Sequence, residues 1–128
     1  MSDKFTVEIT TPNETILKTE TNEVNIPSFE GQMGILKDHI PLITFLRPGI
    51  ISLQDQEKKY YVEEGTVEFS NNNLLILTST ARDLTKLNQD SIEELLKSAE
   101  NKFSDNHSSD KEKYISSYKI STLKEINQ

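Results

Sequence analysis

The chain has 128 residues, no cysteine, 14 Lys and Arg against 21 Asp and Glu, and a formal net charge of −7. That length suits one ordinary domain with a small appendage, and the absence of cysteine excludes disulfides and thiolate metal sites and favours an intracellular compartment. Dispersed, outnumbered cations argue against a surface that tracks nucleic-acid phosphates and against docking on anionic lipid, which leaves a protein partner or a small ligand.

The opening MSDKFTVEITTPNETI holds no apolar run long enough for a signal peptide, and no later stretch is apolar enough for a spanning helix. From Phe5 to about residue 86 apolar and polar residues alternate with the strand period. Phe5, Val7 and Ile9 form the first set and Val24 and Ile26 another. Ile51 and Leu53, Tyr60 and Val62, Val67 and Phe69, then Leu75 and Leu77 follow. Pro12-Asn13-Glu14 and Gln54-Asp55-Gln56-Glu57 carry turn chemistry, and Glu64-Gly65 and Asn71-Asn72-Asn73 are predicted hairpin turns, because Gly and Asn tolerate left-handed geometry. Many short strands at near-regular spacing predict two packed antiparallel sheets and not alternating βαβ units.

Pro27 to Gly49 is the densest punctuation in the chain. It holds Gly31, Gly34 and Gly49 of the four glycines and Pro27, Pro41 and Pro48 of the four prolines. Glycine allows φ > 0 and proline fixes φ, so the segment predicts short strands joined by fixed turns, a surface of defined shape.

After Leu87 the period changes. Asn88 or Asp90 is the predicted N-cap of a helix, with Glu93 and Glu94 in its first turn and an apolar stripe of Ile92, Leu95, Leu96, Ala99 and Phe103. A polar break, Ser104 to Ser109, precedes a second helix capped by Asp110 and ending near Ile126. Its apolar residues (Tyr114, Ile115, Tyr118, Ile120, Leu123, Ile126) spread around the wheel, so it is expected to pack loosely. The reading is an α+β chain: residues 1–87 an antiparallel β-sandwich of about ten short strands, residues 88–128 an antiparallel helical hairpin.

No catalytic constellation assembles from these residues. His39, beside Asp38 in a turn, reads as a hydrogen-bonded loop histidine, and His107 as a solvated one. No glycine-rich phosphate loop precedes a Lys-Ser or Lys-Thr, and Gly31-Gln32-Met33-Gly34 is too short to be one. Glu63-Glu64 and Glu93-Glu94 have structural explanations, and Arg82 is expected to pair with Asp83 or a nearby acid. On the residues alone, a ligand-binding sandwich and an enzyme using His39 with Asp38 stay open beside a protein-contact module.

The spacing of Pro27, Glu30-Gly31, Gly34-Ile35-Leu36, His39, Pro41-Leu42, Thr44 and Leu46-x-Pro48-Gly49 resembles the epsilon subunit of F-type ATP synthases, called delta in mitochondria. Tyr60-Tyr61-Val62, Gly65-x-Val67-Glu68-Phe69 and Leu74 to Ala81 are similar to that family's late strands, so the likeness covers nearly the whole chain. The resemblance implies a rotor part without chemistry or cofactor of its own. It would be peripheral on the cytoplasmic face of a bacterial inner membrane, gripping the gamma subunit and resting on the ring of c subunits. Alpha and beta subunits would be further contacts through the hairpin. It places Phe29, Glu30, Gly31, Gln32, Met33, Asp38, His39, Ile40 and Pro41 at the contact, with Phe29, Met33 and Ile40 as apolar anchors and Glu30 and Asp38 as a charged rim. Core filling is the competing role for those three anchors.

Two positions depart from the family pattern. Gln32 stands where an acid is common, which favours grip by shape and apolar contact over one charge pair. The Ile/Leu-Asp-x-x-Arg-Ala motif that some members use for ATP corresponds to Gln89, Asp90, Ser91, Ile92, Glu93 and Glu94, with Glu93 in place of arginine. An anion beside a triphosphate is repulsive, so ATP binding is not expected. The short second helix and its unfocused stripe predict weak or absent inhibition of ATP hydrolysis by the hairpin.

Overall fold

The computed structural model describes residues 3–127. Ten strands come first: β1 (Phe5–Thr10), β2 (Thr15–Thr21), β3 (Glu23–Ser28), β4 (Gly31–Leu36), β5 (Leu42–Leu46), β6 (Gly49–Leu53), β7 (Lys58–Val62), β8 (Gly65–Ser70), β9 (Asn73–Leu77) and β10 (Ala81–Asp83). A 3₁₀ turn (Leu84–Lys86) leads into α1 (Gln89–Ser104) and α2 (Asp110–Ile126). This is the expected α+β order, a β-sandwich followed by a helical hairpin.

Hydrogen bonds run through the strands in the order β10-β7-β6-β3-β5-β8-β9-β1-β2, with β4 paired to β3 alone. β3 is the joint. Val24 and Asn25 pair with β6, while Ser28 pairs with Leu46 of β5, so one strand serves both layers. Every other pairing is antiparallel except that of β1 with β9, which is parallel and corrects the all-antiparallel expectation.

The alternating residues point inward as their period requires. Val7, Ile9, Val24, Ile26, Ile35, Ile51, Val62, Val67 and Ile76 are all fully buried in one core, with Phe5 set edge-on to Phe69 at 5.5 Å. Each such side chain contributes about 1.5–3 kcal/mol of burial.

Two of the turn and register expectations differ in the structure and one holds. Leu74 and Ile76, not Leu75 and Leu77, face the core. Asn73–Leu77 is apolar at both parities, so alternation within it cannot choose a face, and pairing with Val7 and Ile9 of β1 decides. Glu64-Gly65 is not a hairpin turn, because β7 pairs with β6 and β10 while β8 pairs with β5 and β9. It is a corner where the chain changes layer. Gly65 takes φ +149°, and a Cβ there would lie 2.4 Å from the Leu77 carbonyl oxygen, so only glycine fits. Asn71-Asn72 does close a hairpin, at φ 50° and 58°.

α1 takes one of its two predicted caps, while α2 is capped one residue before its predicted one. Asn88 caps α1, its Oδ1 accepting from the Ser91 amide at 2.8 Å, and Asp90 is the acid in the first turn instead of Glu93 and Glu94. Ser109, not Asp110, caps α2 in a reciprocal box with Glu112, because a hydroxyl at that position reaches the Glu112 amide while the Glu112 carboxylate reaches back. In the α1 stripe Ile92 and Ala99 are buried, Leu95 and Leu96 half-buried, and Phe103 exposed. Lys102 and Glu112 tie the helices together at 2.6 Å. Arg82 makes no ion pair with Asp83 among the described residues. The Asp83 carboxylate instead caps the 3₁₀ turn, accepting from the Thr85 hydroxyl and amide, which hold it below the usual carboxylate range.

Tyr61, Ile92, Ala99 and Leu123 are buried outside the sandwich core. Tyr61 lies beside Ile50 of β6 and Arg82 of β10 on the outward side of that layer, and α2 packs against β6. The hairpin therefore covers the outer face of one layer. The other layer's outer face has no such cover from this chain.

Candidate functional site

The residues between Pro27 and Pro41 fold into a hairpin and a loop at opposite ends of β4. At one end Phe29 and Glu30 form the turn between Ser28 and Gly31. The Ser28 hydroxyl donates to the Gly31 carbonyl at 2.8 Å and accepts from the Glu30 amide at 3.1 Å, while Gly31 sits at φ +119°. The buried Thr44 hydroxyl donates to the Glu30 carboxylate at 3.2 Å, so this acid is held and does not swing freely.

At the other end Asp38 stands at φ 66° and is bridged twice to Asn72 at the β8–β9 hairpin tip. Its amide donates to Asn72 Oδ1 at 2.7 Å and its carboxylate accepts from Asn72 Nδ2 at 2.9 Å. His39 Nδ1 lies 2.7 Å from the Ile40 carbonyl oxygen, and its ring stands edge-on to Phe69 at 5.9 Å. Asp38 and His39 thus face different partners and form no acid–base pair. Among the described residues no cluster of three His, Asp or Glu side chains is placed to hold a metal.

β4 separates these two ends by about 17 Å at the strand rise of about 3.3 Å per residue. Glu30, Gln32, Leu36, Asp38, Ile40 and Pro41 are exposed along this edge, Met33 is half-buried against the core, and Ile35 is fully buried. Ile40 is 74% exposed, so it does not fill the core. Phe29 also faces largely outward, its amide donating to the Phe45 carbonyl at 3.1 Å.

Phe45 leads to residues that sequence reasoning missed. On the uncovered outer face the register sets Phe45 beside Thr66, Leu77 and Thr10, and one step along sets Ile43 beside Glu68, Leu75 and Glu8. Ile43 is 74% exposed and Phe45 58%, with Leu77 also exposed. A groove of about 1100 Å³ runs from this face toward α2, lined by Phe29, Phe45 and Leu77 on one side and Lys111 and Ile115 on the other. The signal was present in the sequence: Leu42-Ile43-Thr44-Phe45-Leu46 is apolar at both parities, although a sandwich strand needs only one.

Glu64 fixes the corner beside this groove. Burial pushes its carboxyl up, yet hydrogen bonds from the Ser79 hydroxyl and amide, the Thr78 hydroxyl and Thr80 together outweigh that and hold it below the usual value.

Residues 4–83 match the model of the ATP synthase delta/epsilon chain β-sandwich domain. The chain belongs to the ATP synthase delta/epsilon family. It is 46% identical over 130 residues to the ATP synthase epsilon chain of Pelagibacter ubique, covering 99% of this chain and all of that one. It is 35% identical over 100 residues to the mitochondrial ATP synthase subunit delta of Schizosaccharomyces pombe, covering 74% and 60% of the two chains. Its fold matches a chain of the Euglena gracilis mitochondrial ATP synthase OSCP/F1/c-ring structure at a TM-score of 0.75 and 19% identity, covering 97% of this chain and 79% of that one. A chain of the Tetrahymena thermophila mitochondrial ATP synthase central stalk/c-ring structure matches at 0.66 and 14% identity, covering 96% of each. Membership makes this delta/epsilon chain a subunit of ATP synthase and not an enzyme by itself. Among its described residues no helix is long and apolar enough to cross a membrane.

In the first turns of α1, Gln89, Asp90, Glu93 and Glu94 are exposed while Ile92 is buried, and Gln89 Nε2 donates to the Glu93 carboxylate at 3.2 Å.

Proposed function

We propose that this chain is a non-catalytic rotor subunit of a proton-translocating ATP synthase, bridging the gamma subunit and the c ring on the cytoplasmic face of a bacterial inner membrane and coupling ring rotation to ATP synthesis. The observation that carries this reading is the uncovered outer face of β5, β8 and β9, with Ile43, Phe45, Leu77 and the adjoining Phe29 exposed together. Contiguous apolar surface of this kind on a soluble domain marks a protein interface. It is the face opposite the layer that the hairpin covers, so it is free for a second protein, and gamma is the partner assigned to it. The turn around Glu30, Gly31 and Gln32, the β4 edge with Met33, and the loop Asp38-His39-Ile40-Pro41 are assigned to the rotor contacts that continue to the ring. Their bridged turns hold one shape before binding, which lowers the ordering cost of association.

In the same reading residues 1–87 make the rotor contacts and residues 88–128 are an appended hairpin, with alpha and beta as its further partners. The hairpin inhibits ATP hydrolysis weakly or not at all, since α2 buries only Ser116, Thr122 and Leu123 and presents no focused apolar stripe.

The test is assembly of the purified chain with a gamma–c-ring subcomplex. Wild type binds, and Ile43→Glu, which places a charge in a 74% exposed position, loses binding while keeping its unfolding temperature. Equal binding by Ile43→Glu removes the face from the interface. Deletion of residues 89–128 leaves ATP hydrolysis by the assembled enzyme nearly unchanged; a large rise in hydrolysis overturns the statement on inhibition.

A further inference from the structure

Tyr61, Ile92 and Ala99 are buried where the hairpin meets the sandwich, but α2 itself buries little apolar surface completely. Leu123 is the only large apolar side chain that α2 buries completely, and the other buried α2 residues are Ser116 and Thr122. Polar ties do the rest. The guanidinium of Arg47 lies 4.2 Å from the centroid of the Tyr118 ring. Its Nε donates to the Ser28 carbonyl at 3.0 Å and its Nη1 to the Pro48 carbonyl at 3.4 Å. The cation is therefore fixed to the sandwich by its fork and offers its face to the hairpin. Tyr118 is braced in turn by Tyr114, whose ring stands edge-on at 5.0 Å with the two hydroxyls 3.1 Å apart. A second tie joins Lys119 to Glu63 at 3.8 Å, and Glu63 also accepts from the Tyr61 hydroxyl at 3.0 Å.

We propose that Arg47 is a clasp: stacked on Tyr118, it sets the seat of the helical hairpin on the β-sandwich. Three features support it. Arg47 is anchored to two carbonyls at the β3–β4 and β5–β6 corners, so its position is set by the sandwich and not by the helix. A polar notch of about 350 Å³ lies around it, lined by Gln32, Ile50, Ser121 and Glu125, so apolar packing does not hold this side of the hairpin down. Arginine also stacks on an aromatic face while its edge donates, which lysine cannot reproduce with one ammonium.

The chain has no cysteine, so Lys59→Cys on β7 and Lys124→Cys on α2, both exposed, place two spin labels without further change. Pulsed electron resonance on the full chain then reports the distance between layer and hairpin with no rotor partner present, so the outcome is independent of the proposed role in ATP synthase. Wild type and Tyr118→Phe, which keeps the ring, give one narrow distance. Arg47→Ala and Tyr118→Leu each add a longer, broad population, raising the unseated fraction about tenfold.

Tyr118→Leu leaves the Arg47 bonds to Ser28 and Pro48 untouched, which separates loss of the clasp from damage to the sandwich corner. Wild-type distances in both Arg47→Ala and Tyr118→Leu overturn the proposal. A change in Arg47→Ala alone overturns it too, because Arg47 then acts within the sandwich. Release in Tyr118→Phe assigns the seat to the tyrosine hydroxyls and likewise contradicts the clasp.

Discussion

Truncation of Phe45 separates an interface residue from a core residue. Phe45 sits on β5 between the buried Thr44 and Leu46 and is 58% exposed, so the free chain already leaves most of its ring in water. A phenylalanine side chain presents about 200 Å², so about 120 Å² remains for a partner to cover. At about 25 cal/mol per Å² that is about 3 kcal/mol, or roughly a hundredfold in affinity. The same truncation costs the free chain little, since the ring makes few of the contacts that core rings make. Phe69, buried and edge-on to Phe5, is the opposite case, and Phe69→Ala costs about 3–5 kcal/mol of folding stability. The assay is a titration of labelled chain with the gamma–c-ring subcomplex, paired with thermal unfolding of the free variants. Phe45→Ala is expected to weaken binding about a hundredfold with an unfolding temperature within about 3 °C of wild type. Affinity within threefold of wild type, or a large loss of stability in the free chain, refutes the reasoning.

Other outcomes follow from single sites. Gly65→Ala forces a side chain into a φ of +149° and against the Leu77 carbonyl; it is expected to cost about 3 kcal/mol, seen as a lower urea midpoint, and an unchanged midpoint contradicts the corner geometry. His39→Ala removes the Ile40 tie and the Phe69 edge contact, so it weakens rotor assembly while the isolated fold stays intact; unchanged coupling argues against a role for this loop. The Glu112 carboxyl is held down to about 2 from its ordinary 4.5, first by the Lys102 hydrogen bond and then by the Ser109 amide. Its folded value lies below its unfolded one, so its stabilisation is present above about pH 5 and fades as pH falls from about 4.5 towards 2. The difference in unfolding temperature between wild type and Glu112→Gln is therefore largest near neutral pH and shrinks in acid; a constant difference contradicts this.

The order of strands and the two helices was readable because most strands alternate against a single core and each helix opens on a capping side chain. The places that misled share a cause. Asn73–Leu77 and Leu42–Leu46 are apolar at both parities, so sequence alone cannot tell the face that meets the core from the face left for a partner. In β9 this misassigned the inward residues, and in β5 it hid Ile43 and Phe45. Glu64-Gly65 carries hairpin chemistry but turns a layer corner, because which strands pair is decided across the whole sandwich and not at the turn. Of the candidate contacts, which the family resemblance supplied, Phe29, Glu30, Gln32 and Ile40 are exposed in the fold. The Asp38–Asn72 bridge and the Arg47–Tyr118 stack join residues 34 and 71 positions apart, a separation that only the fold closes.

The central claim is that this chain couples the c ring to gamma, and reconstitution with and without it is the most direct test. A complex lacking the chain is rebuilt in vesicles with its c ring and catalytic head, and ATP-driven proton uptake is measured against ATP hydrolysis before and after adding the purified chain. Restored proton uptake for each ATP hydrolysed, lost again with Ile43→Glu, is the predicted result. Full coupling in vesicles that never received the chain contradicts it.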